Sequence, residues 1–454
     1  MDSPVTYPLT SSQKAIAVLA DFLHSLDALA LIAYVDFKSE IDDKRMLYAI
    51  RETGMRLAYL RVRFCRGEDG SARQYLSEDE PLPAELVDFS AENEEDQEEQ
   101  FRTWNREAFP DDYTDIQLYR FKLLRYPDGH RGLYFCLNHL IMDGYAGIYT
   151  LQYLSRVYSA MCKGEPLPDP SPEPWKLVEN DLSFYGSPRY SAGREKLLRR
   201  YETEPCFTSV NGLGSPEFVD GRRCGRKQDP TQFFAQVVRH PLPKALTDRV
   251  VEESVKRGVS PQTYYLLALR SYLGRVSGTD DVTVLCPFTC RSTLYEKSCG
   301  LNTTNSHWVR SVISDDRSLA DALLELSDIQ RDVMRYSKII NAEVLQCVYE
   351  RFQTGGSMTY APTWLSYFPP MEMDGDVMDL SAKFVSNGFA PTPLYMLVLP
   401  DSNKGTMSAA YWYAEGYTRP ESVEALHAFL LRFLENSLNG PEQSVGSLID
   451  ASLS

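Results

Sequence analysis

The sequence has few histidines and fewer basic than acidic residues, and each feature excludes a class of function. Only six histidines occur in 454 residues. The nine cysteines include no Cys-x-x-Cys pair, so neither a zinc site nor a disulfide framework is predicted. The 47 basic residues are outnumbered by 63 acidic ones, which gives a net charge of -16. Phosphate backbones and anionic lipid surfaces repel such a chain, so neither nucleic acid nor a membrane is an expected partner.

Long hydrophobic runs are also missing. No apolar stretch is long enough to cross a bilayer, and residues 1–14 lack the basic segment and apolar segment of a secretory signal. These absences predict a cytoplasmic protein. Hydrophobic residues make up 43% of the chain, which is enough to bury a core in each of two domains at this length.

A proline-rich segment divides the chain into two parts. The stretch GEPLPDPSPEPW (164–175) has proline at every second position, which removes backbone donors and disfavours helix. We therefore predict an N-terminal lobe over 1–165, an extended linker over 166–176 and a C-terminal lobe over 177–454.

Both lobes mix strand and helix patterns. The runs IQLYRFKLLRY and RGLYFCLNH are rich in aromatic and large apolar residues and flank the turn sequence PDGH, which predicts a β-hairpin. Helical spacing predicts a helix from about Gly147 to the Lys163–Gly164 cap. The second part shows two helices joined at Gly258, a strand leading into a loop over 280–291, and a final amphipathic helix over 419–439.

The second strand of this hairpin ends in YFCLNHLIMDGYAG, where a rare histidine precedes an Asp-Gly turn. Alternation places His139 at the end of an apolar row on one strand face. One interpretation is a core histidine bonded to a neighbour. The other is an oriented base, because a neutral imidazole can accept a proton from a nucleophile at neutral pH. Asp143 would then hold the loop through a buried arginine, and Gly144 would supply backbone freedom.

The NHLIMDG run resembles the His-His-x-x-x-Asp-Gly motif of nonribosomal peptide synthetase condensation domains, which belong to the chloramphenicol acetyltransferase-like acyltransferases. Other segments resemble this family in matching order over nearly the whole chain. They are YPLTSSQKAI (7–16), the helix–strand segment 258–291, SCGLNTTNSHWVR (298–310), APTWLSYFP (361–369) and the closing segment 411–436.

The resemblance implies an α/β (α+β) fold of two chloramphenicol acetyltransferase-like lobes, set as a V-shaped pseudo-dimer around a central tunnel. An acyl group would enter on one side and a nucleophile on the other. The resemblance places His139 where they meet, as general base or as the group that orients the nucleophile. Gly144 would shape the loop and offer a backbone donor to the developing oxyanion. Asp143 would be structural, with Arg291 as its salt-bridge partner.

Four further residues follow from the same resemblance. Asn138 replaces the first histidine of the motif, in a position that supports the loop. Gly300 and Asn302 belong to the later glycine/asparagine segment, and Ser366 belongs to APTWLSYFP; all three are predicted to line the tunnel or a loop beside it. No metal and no tightly bound cofactor is expected, since the phosphopantetheine arm of an acyl or peptidyl carrier protein would bring the substrate.

The sequence therefore predicts a freestanding, monomeric condensation enzyme of natural-product biosynthesis. It would form an amide or ester between a carrier-bound acyl or aminoacyl thioester and an amine or alcohol. Carriers would be met in trans, and the basic segments 194–200 and 221–227 are either docking patches or a solvated helix face and loop. Two alternatives stay open. One is an acyl-CoA-dependent O- or N-acyltransferase of the same superfamily, and the other is a non-catalytic condensation-like recruiting domain.

Overall fold

The chain forms a mixed α/β structure, as its patterns predict. The computed structural model describes residues 4–23, 29–106, 109–110, 112–214, 218–219, 222–223, 234–352, 360–370, 380–390, 392–401, 405–440 and 443–454. Within these residues, the two largest sheets have five and six strands. Each sheet has its own large apolar core.

The strands are named in chain order. They are β1 (Tyr7–Pro8), β2 (Ala30–Phe37), β3 (Val62–Arg66), β4 (Ala72–Leu76), β5 (Glu85–Asp88), β6 (Tyr119–Arg125), β7 (Arg131–Asn138), β8 (Phe218–Val219), β9 (Arg222–Arg223), β10 (Ala235–Leu242), β11 (Asp281–Phe288), β12 (Asn305–Val312), β13 (Thr363–Tyr367), β14 (Leu380–Val385), β15 (Leu394–Pro400) and β16 (Met407–Ala414).

The helices are named in the same way. They are α1 (Ser11–Leu23), α2 (Asp43–Arg56), α3 (Glu94–Arg106), α4 (Gly144–Lys163), α5 (Trp175–Tyr185), α6 (Pro188–Leu198), α7 (Lys244–Arg257), α8 (Pro261–Ser277), α9 (Leu294–Cys299), α10 (Leu319–Arg335), α11 (Asn341–Phe352), α12 (Pro420–Asn439) and α13 (Val445–Leu453).

The five-stranded sheet has the order β14-β2-β7-β6-β5. Its β6 and β7 pair as antiparallel neighbours, which confirms the predicted hairpin. Gly129 has a φ of +86° in the intervening turn, a conformation that glycine adopts without steric cost. Because β7 lies inside the sheet and is buried along most of its length, it is a rigid support for the loop that follows it.

The six-stranded sheet has the order β10-β16-β15-β13-β11-β12. Helices α8 and α12 share a core with one of its faces. The predicted break between two helices is confirmed, because α7 ends before Gly258, which has a φ of +67°, and α8 begins at Pro261. The strand predicted within 280–291 is confirmed as β11.

Two boundaries differ from the sequence prediction. Helix α4 begins at Gly144 instead of Gly147, because Asp143 caps it by accepting a hydrogen bond from the Ala146 N–H. The helix over 419–439 is not the final one, since α13 follows it and packs against it. The apolar period of a helix thus reveals its buried face, whereas the cap decides where the helix starts.

The proline-rich stretch has no regular secondary structure between Glu165 and Glu173 and lies against the N-terminal half. Its Ser171 N–H donates to the Arg56 carbonyl at 2.9 Å. In the opposite direction, β14 comes late in the chain yet pairs with β2 in the five-stranded sheet. The division into lobes at 166–176 and their V-shaped arrangement stay predictions.

The two basic segments differ in what the structure shows of them. In the first, Arg194 lies 3.6 Å from Glu343 and Arg200 lies 3.0 Å from Asp332, so two of its cations already face carboxylates. In the second, Arg222–Arg223 form β9, and the other residues of 221–227 lie outside the described part of the chain.

Two features are absent from the described residues. No helix there has both the length and the apolar character that crossing a membrane requires. No cluster of three or more histidine, cysteine, aspartate or glutamate side chains there is arranged to hold a metal ion.

Candidate active site

His139 directly follows strand β7 and lies in a loop between the two large sheets. The His139 N–H still donates to the Leu29 carbonyl at 2.9 Å, so the histidine continues the strand ladder by one residue. Its side chain is only partly exposed, and its Nδ1 atom is buried with no hydrogen-bond partner in the described part of the chain. Burial lowers the pKa of His139, and this outweighs the opposing influence of Asp143 and the Met142 backbone.

Asn138 starts the turn that exposes this histidine. Its side chain is fully buried, and its Oδ1 accepts a hydrogen bond from the Leu140 N–H at 2.9 Å. Its own carbonyl accepts from the Ile141 N–H at 3.1 Å. An asparagine side chain that bonds the backbone two residues later imitates a turn. Asparagine therefore holds the loop at the place where the family motif has its first histidine.

Asp143 is the buried centre of the loop. Its Oδ1 caps α4 by accepting from the Ala146 N–H at 3.0 Å. Its Oδ2 accepts from Arg291 Nη1 at 2.7 Å, from the Thr303 and Thr304 N–H groups at 3.1 and 3.2 Å, and from Thr304 Oγ1 at 2.9 Å. Burial alone would raise the pKa of Asp143, but the Arg291 charge and these donors hold it below its usual value.

Arg291 reaches this carboxylate from the strand end of β11. Both side chains of the pair are 1% exposed. Its Nη2 also donates to the Leu301 carbonyl at 2.6 Å, and its Nη1 to the Thr289 carbonyl at 3.2 Å. The Tyr145 ring lies 4.8 Å from the guanidinium carbon, within cation–π range. The structure thus joins the predicted pair and surrounds it with further donors and acceptors.

Asn302, in the C-terminal half of the chain, forms two hydrogen bonds to the same loop. Its Nδ2 donates to the His139 carbonyl at 2.6 Å, and its backbone N–H donates to the Ile141 carbonyl at 3.1 Å. Its Oδ1 accepts from the Thr304 N–H at 3.0 Å, which fixes the amide orientation. The side chain is 1% exposed. Residues 302–304 therefore anchor the loop at both His139 and Asp143.

The two predicted glycines occupy crowded places. Gly300 ends α9 with a φ of +72°, and a Cβ atom there would overlap the Tyr59 ring. Gly144 is the first residue of α4, and a Cβ there would lie 3.2 Å from Phe368 Cε1. A glycine at the start of α4 lets a residue from the end of β13 approach the loop.

Ser366 is the predicted residue that lies on β13. It is a buried residue of β13, and its Oγ lies 2.6 Å from the Tyr395 hydroxyl. Its side-chain hydrogen-bond partner is on the neighbouring strand β15 and not in the loop 138–144. Its link to the loop is Phe368, two positions further along the same chain segment.

Four residues of the site were not predicted from the sequence: Tyr145, Thr303, Thr304 and Phe368. The two threonines directly follow Asn302, and a polar run after a helix-ending glycine was a readable sign of a second capping segment. Phe368 continues the alternation of Trp364 and Ser366 by one step beyond β13. The aromatic residue after Gly144 gave no comparable signal.

Comparison with known proteins agrees with this architecture. The condensation domain family matches residues 4–449. A plipastatin synthase subunit of Bacillus subtilis (strain 168) is 21% identical over 98% of this chain, and surfactin synthase subunit 1 of the same organism is 23% identical over 97%. The chain covers 17% and 12% of the length of those two proteins.

Solved structures show the same fold. The first condensation domain of the calcium-dependent antibiotic synthetase, in complex with a substrate analogue, superposes with a TM-score of 0.82 at 18% identity, covering 98% of this chain and 99% of the other. The starter condensation domain of rhizomide synthetase, in complex with C8-CoA, superposes with a TM-score of 0.80 at 17% identity, covering 98% and 97%. Since the family match spans nearly the whole sequence, this chain belongs to the condensation domain family.

Proposed function

We propose that this chain transfers an acyl or aminoacyl group, delivered as a thioester on a phosphopantetheine arm, to an amine or alcohol. Members of its family are acyl or peptidyl transferases in general. The observation that supports activity in this member is the state of His139: it is partly exposed, and its loop is fixed by hydrogen bonds from both halves of the chain.

His139 is suited to act as a neutral base. Its lowered pKa keeps the imidazole uncharged at neutral pH, so a ring nitrogen can accept a proton. The nucleophile attacks the thioester carbonyl, its proton passes to His139, and the carbon–sulfur bond breaks as the tetrahedral intermediate collapses. The departing thiolate then takes the proton, which returns His139 to its starting state.

The start of α4 is suited to stabilise the oxyanion. The first amides of a helix have no intrahelical acceptor, and here the Asp143 side chain accepts from the third, Ala146. In our proposal the Gly144 N–H donates to the developing negative charge. The roles of Asn138, Asp143, Arg291 and Asn302 are then to hold His139 and Gly144 in place.

The source of the acyl group is part of the proposal. A carrier protein is the expected donor because the family works on carrier-bound substrates, and a carrier in trans and a monomeric state stay predictions. A second candidate donor is acyl-CoA, since one similar structure is a starter condensation domain in complex with C8-CoA. A purely recruiting role would leave the buried support of His139 without a purpose.

Intact-mass spectrometry of acyl-loaded carrier proteins tests the proposal. The wild type is mixed with a loaded carrier and a pool of amines and alcohols, and acyl loss is followed together with product mass. His139→Ala is expected to slow the transfer about 10²–10⁴-fold, the usual contribution of a positioned base. His130→Ala is the matched control, because it removes a histidine from the opposite end of β7.

The outcomes separate the candidates. Acyl loss that depends on His139 and not on His130, with a matching product, supports carrier-dependent condensation. Transfer only from C8-CoA would support the second candidate. Equal transfer by wild type and a folded His139→Ala protein would overturn the assignment of His139. Absence of transfer from either donor, together with a stable complex with a partner protein, would support recruitment.

A further inference from the structure

The two faces of the six-stranded sheet differ in how far one row of side chains is buried. On one face, Leu365, Met396 and Tyr411 are each 0% exposed in the core with α8 and α12. The residues that alternate with them on the opposite face include several aromatic side chains that stay partly exposed. We call the following set the aromatic wall: Trp364, Ser366, Phe368, Tyr395 and Trp412.

Strand register places the members of the aromatic wall side by side. Trp364 of β13 is paired with Tyr395 of β15, which is paired with Trp412 of β16. Paired residues project from the same side of a sheet, and the ring centroids lie 5.5 and 6.2 Å apart. The next row contains Ser366, Leu397 and Ala410, and all three are buried, so the partly exposed part of these two rows is that of Trp364, Tyr395 and Trp412.

The aromatic wall leads directly to the catalytic loop. Phe368 lies on the same face as Ser366, two residues further on, and its Cε1 atom would be 3.2 Å from a Cβ added at Gly144, at the start of α4. Two residues of extended chain span about 7 Å. A group bound at Ser366 is therefore within the reach of an acyl or aminoacyl substituent whose carbonyl lies beside His139.

The aromatic wall also contains a spare hydrogen-bond donor. Ser366 Oγ and the Tyr395 hydroxyl are 2.6 Å apart, and either can be the donor. Each carries one hydroxyl hydrogen, so their mutual bond uses one and leaves the other without an acceptor in the described part of the chain. Burial raises the pKa of Tyr395 to about 12, which keeps its hydroxyl protonated at neutral pH.

We propose that the aromatic wall is the specificity subsite for one substrate, and that this substrate carries an aromatic group with a hydrogen-bond acceptor near its end. The ring packs against Tyr395 and its neighbours, and the acceptor binds the spare hydrogen of the Ser366–Tyr395 pair. This inference rests on the proposed function, because the bound group belongs to a substrate that reacts at His139.

Binding of two isosteric probes tests the subsite without requiring turnover. Both are pantetheine amides, in which nitrogen replaces the thioester sulfur, and they carry either a 4-methoxyphenylalanyl or a 4-ethylphenylalanyl group. The probes differ only in an ether oxygen that can accept a hydrogen bond. We expect the wild type to bind the methoxy probe about three- to tenfold more tightly by calorimetry, the usual effect of one hydrogen bond.

The double variant Ser366→Ala/Tyr395→Phe removes both hydroxyls. Replacing both partners of a hydrogen bond by apolar groups is often nearly neutral for folding, so the protein is expected to fold and to bind the two probes equally. Tyr411→Phe is the control, because it deletes a buried hydroxyl from the other face of the same sheet. That variant should keep the wild-type preference.

The remaining outcomes are also decisive. Equal binding of both probes by the wild type, a preference retained in the double variant, or no binding of either probe would overturn the subsite. The corresponding 4-methoxyphenylpropanoyl and 4-ethylphenylpropanoyl amides lack the α-amino group, and a preference confined to the aminoacyl pair would show that the bound substrate needs this group. His139-dependent transfer in the mass assay persists if only the subsite is wrong, so the two failures are distinguishable.

Discussion

Strand β7 has a histidine near each end, and the two are held in opposite ways. His130 lies in the hairpin turn, where its Nδ1 contacts the Asp128 carboxylate directly and its ring stacks on Tyr126 at 4.2 Å. His139 lies beyond the other end, where its Nδ1 has no partner among the described residues. The nearby Asp143 carboxylate is bonded instead to Arg291 and to backbone and threonine donors.

The comparison shows that a direct aspartate contact does not set the environment of the His139 ring. The His130–Asp128 pair is solvent-exposed, and water screens such pairs strongly. Burial lowers the pKa of His139, and hydrogen bonds on both sides fix the backbone of its loop. Its aspartate acts one step away, by holding the loop and the start of α4.

The largest difference in stability is expected between the variants Asp143→Ala and Asp128→Ala. Asp143→Ala would leave the buried Arg291 guanidinium without its carboxylate, and loss of one partner from a buried ion pair typically costs about 3–5 kcal/mol of unfolding free energy. Asp128→Ala removes an exposed carboxylate and should leave the denaturant midpoint unchanged. Urea unfolding followed by fluorescence measures both variants.

A second variant tests whether the unpaired buried charge and the lost helix cap together cause this destabilisation. Replacing the pair together, as Asp143→Asn/Arg291→Met, removes both charges while keeping an acceptor for the Ala146 N–H. This double variant should recover a substantial part of the stability lost in Asp143→Ala. An Asp143→Ala protein as stable as the Asp128→Ala protein would show that the ion pair is not the support we describe.

Part of the site around His139 could be predicted from the sequence, and part could not. The hairpin, the position of His139 and the Asp-Gly turn depend on residues close in sequence, and their patterns were readable. The hydrogen bond from Asn302 to the His139 carbonyl joins residues 163 positions apart. The approach of Phe368 to Gly144 spans a still larger separation in sequence. Contacts of this kind follow from how the two sheets pack, and the family resemblance indicated Gly300 and Asn302 without giving their partners.

A smaller difference in stability is expected between alanine substitutions of two glycines, one in the hairpin turn and one beside the His139 loop. Gly129 in the hairpin turn and Gly300 beside the loop both have a positive φ, which costs a non-glycine residue about 1–2 kcal/mol. A Cβ at Gly129 has no atom within 4 Å, whereas one at Gly300 would overlap the buried Tyr59 ring. Gly300→Ala should therefore destabilise the protein by about 1–3 kcal/mol more than Gly129→Ala, the usual range for overpacking.

Thermal and urea unfolding of the two alanine variants measure this difference. Acyl transfer by Gly300→Ala should also fall, because the chain from Gly300 to Asn302 leads into the residues that hold His139 and Asp143. Gly129→Ala is expected to keep wild-type transfer. Equal destabilisation by the two substitutions would mean that Tyr59 moves aside and that the segment before Asn302 is not tightly packed.

The smallest expected effect is the change in folding stability with pH that is due to His139. An unfolded histidine titrates near pH 6.5, whereas burial places the pKa of folded His139 lower. Between these two values the unfolded state binds more protons, so stability rises with pH there. The contribution of His139 is complete above about pH 6.5 and is lost as pH falls through its folded pKa.

His307 and His427, whose pKa values burial lowers to about 4, act in the same direction, so the informative quantity is the difference between wild type and His139→Ala. The stability difference should change as pH falls below 6.5. The transfer rate should fall over the same window, since a protonated imidazole cannot accept the proton of the nucleophile. A rate that rises on acidification would mean that His139 works as a cation, and its role as base would be wrong.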